Sequence, residues 1–257
     1  MVMQQDEKAA LAEKGKAGLV HQAVGLAYQR LIRSWLPGRP LVYAGIPVSY
    51  DRKWGDAVVP PGWRPDVGYE TGYTDEPGYE VALISALNES VRPGDRVVVV
   101  GGGVGVTAVI AANLAGSSGT VVCFEGSKQY VRHIQETASR NRVSNIVVKH
   151  AIVSKPIAVY GKASDFGEVV SPDQLPECDI IELDCEGAEV DILRNMAIRP
   201  RVIIVETHGA YGAPTSLVDS MLKELGYAVR DLGLAEPRIE DVCTEKDIQV
   251  LFATRSE

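Results

Sequence analysis

The densest group of acidic residues in the sequence directly follows a short apolar segment. Residues 179–183 predict a buried strand, and carboxylates follow at Asp184, Glu186 and Glu189. Carboxylates in the first turn of a helix stabilise it by about 0.3–1 kcal/mol each, which accounts for Glu186 and Glu189. Asp184 is still at the strand end, so helix stabilisation explains it less well. Its position favours a role in chemistry.

A second polar group, Glu206 and His208, follows the next predicted strand at 202–205. The carboxyl ends of parallel strands meet at one edge of a sheet, so we expect Asp184, Glu206 and His208 to converge. Such a group could hold a divalent metal such as Mg²⁺, through Asp184 and Glu206, or act as a general base. The catalytic candidates are therefore Asp184, His208, Glu206 and Glu186. Either Asp184 or His208 is the base, and Glu206 would orient His208 or help to bind the metal.

The elements that must position these residues begin with a glycine-rich turn. Four valines at 97–100 predict a strand buried on both faces, and a small, apolar segment after the turn predicts a helix. Glycines remove Cβ atoms where a ligand approaches the backbone, and the helix offers free N–H groups. The spacing fits neither the dinucleotide fingerprint nor the phosphate loop. The cofactor-binding candidates in this turn are Gly101, Gly102, Gly103 and Gly105.

The next two predicted strands also end in candidate cofactor-binding residues. Glu125 follows the strand at 120–124, where a carboxylate can accept hydrogen bonds from both hydroxyls of a ribose. Gly126 comes directly after it. The strand at 146–148 leads to His150 and Ala151, where a nucleoside base would lie. The cofactor-binding set is completed by Glu125, Gly126, Ala151 and Asp184.

Strands and helices alternate along the rest of the chain. This alternation predicts an α/β fold with a mostly parallel sheet and helices on both faces. Beyond the elements already named, the pattern predicts helices at 79–90, 127–140, 188–196 and 216–225, and strands near 158–160, 228–231 and 248–254. Ligands of such sheets bind outside the carboxyl ends of the strands, where the candidate residues are expected.

Residues 1–78 have a different texture and are interpreted as an N-terminal extension to a domain at 79–257. Apolar residues at helical spacing predict an amphipathic helix within 5–36. It would pack on its own domain or on a partner, for example a second copy of the chain. Residues 41–78 are rich in proline, glycine and aromatic residues, which predicts an ordered segment. Whether that segment is a lid over the site or a strap over the core is left open.

Composition limits the class of protein. The chain has 257 residues, a net charge of −8 and a pI near 5.2, which argues against nucleic acid as the main partner. Its four cysteines show no zinc or disulfide spacing. The one uncharged segment long enough to span a bilayer is broken by glycine and polar residues, so no transmembrane segment is expected. We expect a soluble, cytoplasmic protein.

Residues 80–230 resemble the FkbM-type methyltransferases, which belong to the class I enzymes that use S-adenosylmethionine. The resemblance rests on five motifs, namely Arg92-Pro93-Gly94-Asp95, Phe124-Glu125, Asp184-x-Glu186-Gly187-Ala188-Glu189, Val205-Glu206 and Leu225-Gly226-Tyr227. It implies a Rossmann-like fold with a seven-stranded sheet. It also implies S-adenosylmethionine as cofactor and methylation of a hydroxyl oxygen on a small molecule, sugar or glycolipid.

Two positions depart from the resembled pattern. An acid usually lies two residues before the first glycine, where this chain has Val99, and a lysine often lies at the position of Glu182. These departures sustain a second interpretation, a non-catalytic binding protein with a methyltransferase fold. A third interpretation, a nicotinamide-dependent oxidoreductase, is disfavoured by the glycine spacing.

Overall fold

The computed structural model describes residues 41–49, 52–54, 57–59, 63–64, 68–69, 75–154 and 167–255. The predicted helix within 5–36 and the predicted short strand at 158–160 lie outside these ranges. The chain divides into two compact units. One consists of Val42–Ser49 and Asp75–Glu257, and the other of Met1–Leu41 and Tyr50–Thr74.

Fifteen strands are formed by the described residues. They are β1 (Leu41–Tyr43), β2 (Ile46–Val48), β3 (Arg52–Trp54), β4 (Ala57–Val59), β5 (Trp63–Arg64), β6 (Gly68–Tyr69), β7 (Asp75–Glu76), β8 (Arg96–Val100), β9 (Thr120–Glu125), β10 (Ile146–Val153), β11 (Glu168–Val170), β12 (Ile180–Leu183), β13 (Val202–Glu206), β14 (Ala228–Leu234) and β15 (Gln249–Thr254). Strands β3 with β4 and β5 with β6 form two short antiparallel pairs, and β2, β1 and β7 form a small sheet.

The described helices follow the predicted alternation. They are α1 (Val81–Ser90), α2 (Val106–Ala115), α3 (Lys128–Arg140), α4 (Glu189–Asn195), α5 (Thr215–Glu224) and α6 (Glu240–Lys246). Three short 3₁₀ turns lie at Pro172–Gln174, Gly209–Tyr211 and Pro237–Ile239. None of the helices in the described ranges is long and apolar enough to cross a membrane.

One large sheet contains eight strands in the order β11-β10-β9-β8-β12-β13-β15-β14. Neighbours from β11 to β13 are parallel, whereas β15 pairs antiparallel with both β13 and β14. The chain order reverses at β8, whose two neighbours are β9 and β12. In such sheets the crevice at this reversal is where ligands bind. The predicted Rossmann-like α/β fold is confirmed.

The core lies on both faces of the sheet because the central strands are mostly apolar. In β8, Val98 and Val100 pack in one buried cluster, and Val97 and Val99 pack in the other. Strands covered by helices on both faces read as continuous runs of β-branched residues, as this one does. The apolar segment therefore predicted β8 correctly.

Two elements of the structure, one strand of the large sheet and one helix, were not predicted. The sheet has eight strands rather than seven because Glu168–Val170 adds the edge strand β11 beside β10. Helix α6 was also not predicted. Its sequence is mostly charged and only Cys243 is buried, so no apolar periodicity marked it.

Candidate active site

Gly101 ends β8 and allows the glycine turn to lie against the end of β12. Its φ of 93° is in the left-handed region, and a Cβ atom here would lie 1.7 Å from the carbonyl oxygen of Asp184. The amide of Asp184 donates to the carbonyl oxygen of Val100 at 2.9 Å. Gly101 is thus required by close backbone packing, whether or not a ligand is bound.

Among the other glycines of the turn, Gly103 differs from its neighbours. A Cβ atom at Gly102 would lie 2.4 Å from Cys123 Sγ, and one at Gly105 would lie 3.0 Å from the Cα of Ile134. Nothing lies within 4 Å of the position that a Cβ atom would take at Gly103, although its φ is 50°. Close packing therefore explains why glycine is needed at Gly102 and Gly105. At Gly103, by contrast, open space remains next to the backbone.

Glu125 ends β9 beside this open space. Its carboxylate accepts hydrogen bonds from the amide of Gly103 at 3.2 Å and from that of Ser127 at 2.7 Å. Burial raises the pKa of Glu125, and these backbone hydrogen bonds partly counteract that effect. Each carboxylate oxygen has two lone pairs, so it can accept a further hydrogen bond from a ribose hydroxyl.

Two other predicted cofactor-binding residues, Gly126 and Ala151, come after Glu125 in the chain. They offer a ligand less contact through their side chains than predicted. A Cβ atom at Gly126 would lie 2.7 Å from Ile152 Cγ1. His150 Nε2 lies 3.1 Å from the carbonyl oxygen of Gly126, whereas the side chain of Ala151 is buried in the core. A cofactor could therefore contact Ala151 only through its backbone.

The predicted convergence at the ends of β12 and β13 is centred on His208, whose side chain is only 3% exposed. Its Nε2 atom lies 3.6 Å from Asp184 Oδ1 and 3.6 Å from Glu206 Oε1. Glu186 Oε2 lies 3.8 Å from the same nitrogen. Three carboxylates thus surround Nε2, each beyond normal hydrogen-bond distance.

Glu189 holds the other side of the ring. Its Oε1 atom lies 2.8 Å from His208 Nδ1 and also accepts a hydrogen bond from the amide of Cys185 at 3.1 Å. Burial raises the pKa of Glu189, but the hydrogen bond and charge of His208 outweigh burial, so the pKa lies below its ordinary value. Glu189 was predicted as a helix-stabilising residue and as part of the resembled motif, but its contact with His208 was not predicted because that contact joins separate elements.

Mutual electrostatics shift the pKa values of this cluster. Burial lowers the pKa of His208, but the hydrogen bond to Glu189 and the charge of Asp184 raise it to about 9. Burial raises the pKa of Asp184 to about 7, with His208 opposing and Glu186 adding to the rise. Burial also raises the pKa of Glu206, and the charge of Asp184 adds to the effect. These are the perturbed carboxyl groups expected where proton transfer or ion binding occurs.

Sequence reasoning missed Glu80, which lies at the N-terminal end of α1 with a φ of 44°. Its pKa is raised to about 8, first by burial and then by the charge of Asp184. Glu80 and Asp184 are far apart in sequence, and the packing of α1 beside β13 brings them together. No local signal could have identified it.

Glu182 is a buried acid whose carboxylate forms no hydrogen bond. It is 1% exposed, both oxygens lack a partner, and in the parallel register it lies opposite Val99 of β8. The Thr107 hydroxyl is close enough to lower its pKa, but burial and the charge of Glu80 raise that pKa well above its ordinary value. Val99 and Glu182, the two positions that depart from the FkbM-type pattern, are therefore direct neighbours on adjacent strands of the sheet.

The arrangement has two chemical capacities. Ligand atoms of Asp184, Glu206 and His208 all lie within 4.8 Å of one another, so they could hold a divalent cation. Alternatively, the same carboxylates and imidazole could accept a proton from a hydroxyl group. The open space at Gly103 and this cluster lie at the same edge of the sheet.

Comparison with known families gives one match. The family described as Protein-L-isoaspartate(D-aspartate) O-methyltransferase (PCMT) matches residues 66–155, about a third of the chain, which include the glycine turn and Glu125. A comparison with curated proteins gives no match. Membership of the FkbM-type family stays a prediction.

Three solved structures illustrate the similarity. A ribosomal protein L11 methylase from Lactobacillus delbrueckii subsp. bulgaricus is 13% identical, with a TM-score of 0.49, covering 74% of this chain and 88% of that one. Precorrin-6y C5,15-methyltransferase from Geobacter metallireducens GS-15 is 16% identical, with a TM-score of 0.45 and coverage of 69% and 87%. A SAM-dependent O-methyltransferase from Thermotoga maritima is 16% identical, with a TM-score of 0.45 and coverage of 69% and 64%.

The family match, together with the sheet topology, supports an S-adenosylmethionine-dependent methyltransferase.

Proposed function

We propose that this protein transfers a methyl group from S-adenosylmethionine to a hydroxyl oxygen of a small molecule, with a sugar or glycolipid head group as the expected acceptor. The observation that carries the proposal is the common edge of the sheet. There, open space beside Gly103 and Glu125 lies next to the ionisable cluster of Asp184, Glu206 and His208.

The residues at the end of β8 and β9 fit the nucleoside part of the cofactor. Glu125 retains lone pairs for the ribose hydroxyls, and Gly103 leaves room for a ligand next to the backbone. S-adenosylmethionine supplies a methyl group on a sulfonium, which is already a strong electrophile. The protein must then hold the acceptor oxygen in line with that methyl group.

Asp184 is the better of the two candidate bases. A general base works best when its pKa is near the operating pH, and that of Asp184 is raised to about 7. The pKa of His208 is raised to about 9, so at neutral pH its ring is protonated unless another cation replaces the proton. We therefore assign proton removal to Asp184, and assign positioning roles to His208, Glu206 and Glu186.

Calorimetric titration of the full chain with S-adenosylhomocysteine, S-adenosylmethionine and NAD tests the cofactor assignment. We expect micromolar binding of the two adenosyl ligands and none of NAD. Transfer of radiolabelled methyl groups to a panel of hydroxylated acceptors then tests turnover. Absence of adenosyl-ligand binding would overturn the proposal.

Binding without turnover on any hydroxylated acceptor would instead favour the non-catalytic alternative. The buried, unpartnered Glu182 opposite Val99 is the observation that sustains it, because it marks a local departure beside the proposed pocket. Cytoplasmic location, exclusion of nucleic acid as partner, and self-association through the N-terminal helix stay predictions. So does the assignment of acceptor choice to residues 1–78.

A further inference from the structure

We infer that Asp184, Glu206 and His208 form a binding site for one divalent transition-metal ion, and that this site prefers Mn²⁺ to Mg²⁺. The inference concerns ion binding, which can be measured without a methyl acceptor. Its catalytic relevance rests on the proposed function, since the same edge of the sheet would hold the acceptor.

The two distances from His208 Nε2 to the carboxylates suit a bound ion better than direct hydrogen bonds. Carboxylate oxygens and imidazole nitrogens bind divalent ions at about 2.0–2.2 Å, so two such ligands at 90–120° are roughly 3.0–3.6 Å apart. His208 Nε2 lies 3.6 Å from both Asp184 Oδ1 and Glu206 Oε1. A direct hydrogen bond would bring one of these oxygens to about 2.9 Å.

The histidine is already oriented as a metal ligand would be. Metal-binding histidines almost always donate their other ring N–H to a carboxylate or carbonyl, which fixes the tautomer. Here the buried carboxylate of Glu189 accepts from His208 Nδ1 at 2.8 Å, which leaves Nε2 facing the acidic cluster, where a bound ion would replace the Nε2 proton. Within the part of the chain that the structure describes, Nε2 makes no hydrogen bond and only ion-pair contacts at 3.6–3.8 Å, although the side chain is only 3% exposed. This is a second observation, independent of the acidic residues.

Charge also favours a cation at this place. Among ion pairs of the described ranges, His208 is the one basic partner of Asp184, Glu186 and Glu206. A divalent ion would compensate several of these carboxylates, whereas a single proton on the ring compensates one.

The donor set selects the class of ion. Oxygen ligands alone suit Mg²⁺ and Ca²⁺, whereas imidazole is a better ligand for Fe²⁺, Zn²⁺ and similar ions. A set of two carboxylates and one imidazole therefore favours a first-row transition-metal ion over Mg²⁺. Mn²⁺ is the probe ion because it binds carboxylates as Mg²⁺ does but loses its waters more readily, whereas Mg²⁺ usually retains several waters in protein sites.

Electron paramagnetic resonance of Mn²⁺ with the full-length, EDTA-treated protein tests the site, since bound Mn²⁺ loses the sharp signal of the free ion. We expect one ion per chain, and at least about a hundredfold molar excess of Mg²⁺ to displace it. Asp184→Asn, Glu206→Gln and His208→Asn should each weaken binding at least tenfold. Glu189→Gln should weaken it about 10- to 100-fold by releasing the ring orientation.

Glu224→Gln is the matched control, because Glu224 is an exposed acid on α5 and outside the cluster. It should leave Mn²⁺ affinity unchanged. If His208→Asn fails to fold by circular dichroism, Glu206→Gln decides, since its carboxylate pairs only with His208 among the ion pairs of the described ranges. Absence of Mn²⁺ binding, or binding that these variants leave intact, would overturn the inference.

Binding of S-adenosylhomocysteine, measured on the same samples, separates this inference from the proposed function. Loss of adenosyl binding with intact Mn²⁺ binding would overturn only the methyltransferase proposal. Intact adenosyl binding without Mn²⁺ binding would overturn only the metal site.

Discussion

Glu182 and Val99 lie directly opposite each other on the neighbouring parallel strands β12 and β8. Val99 is fully buried and Glu182 is 1% exposed, and neither carboxylate oxygen of Glu182 has a hydrogen-bond partner. A buried carboxyl group loses its hydration, and the nearby Thr107 hydroxyl, which lowers the pKa of Glu182, offsets only part of that cost. This pair is therefore a local weakness in the centre of the sheet.

Replacing Glu182 with leucine should stabilise the protein. We expect the free energy of unfolding of Glu182→Leu to rise by about 1–3 kcal/mol at pH 7, because the variant removes an unsatisfied carboxyl group from the core. Urea denaturation followed by circular dichroism measures the change. Glu177→Leu, at an exposed position shortly before the same strand, is the control. A destabilised Glu182→Leu variant would show that this carboxyl group makes a contact that the protein needs.

Two variants in the glycine turn should distinguish a role in packing from a role in ligand binding. Gly103→Ala places a methyl group in open space at a φ of 50°, so it should cost about 1–2 kcal/mol of stability and weaken S-adenosylhomocysteine binding at least tenfold. Gly101→Ala places the same group 1.7 Å from Asp184 O, so it should prevent stable folding. Thermal unfolding and calorimetric titration distinguish the two. Normal ligand affinity in Gly103→Ala would contradict the proposed position of the cofactor.

Proton removal should depend on the acid at the end of β12. Asp184→Asn keeps the shape of the side chain but removes the base, so methyl turnover should fall by about 10²–10⁴-fold. Affinity for S-adenosylhomocysteine should change little, since Glu125 and Gly103 provide the proposed nucleoside contacts. Initial-rate kinetics and calorimetry on one preparation measure both quantities. Lost affinity with unchanged turnover at saturation would contradict the assignment.

Stability of the metal-free protein should fall as pH rises from 5 to 9. The pKa of Glu80 is raised from 4.5 to about 8, so between these values the folded chain holds a proton that the unfolded chain has released. The pKa of His208 is raised from 6.5 to about 9, so its stabilisation is present below pH 6.5 and is lost as pH rises through 9. Both contributions have the same sign.

Urea denaturation in EDTA at several pH values measures this effect. We expect the free energy of unfolding to fall by several kcal/mol across the range, because each unit of pKa shift corresponds to about 1.4 kcal/mol and both groups are buried. Glu80→Gln should make the profile flatter. A profile that rises from pH 5 to 9 would show that the folded state does not hold these protons.

The sequence predicted the sheet well where local pattern and burial agree. The run Val97–Val100 and the small, apolar segment after it gave β8 and α2, because strands and helices buried on both sides need little more than apolar residues. Strand ends were less accurate. Strand β10 continues to Val153, five residues beyond the predicted end at 148. The prediction stopped early because Lys149 and His150 interrupt the apolar pattern of the strand.

The site was predicted only in part because its key contacts join distant segments. The ends of parallel strands had to meet, so the convergence of Asp184, Glu206 and His208 could be predicted from topology. Glu80 and Glu189 could not be recognised in this way. Their relation to the cluster depends on how α1 and α4 pack on the sheet, and no periodicity in their own sequence encodes that packing.

The contact between Gly101 and the backbone of Asp184 limits how this scaffold can diversify. Because two strand ends meet there with no room for a side chain, the spacing between the glycine turn and the acid is fixed by main-chain atoms. Mutation can hardly lengthen or shorten that spacing without breaking the sheet. Under the proposed function, a change of methyl acceptor would then require the exchange of side chains that project from this edge. The distance between methyl donor and acceptor would stay constant.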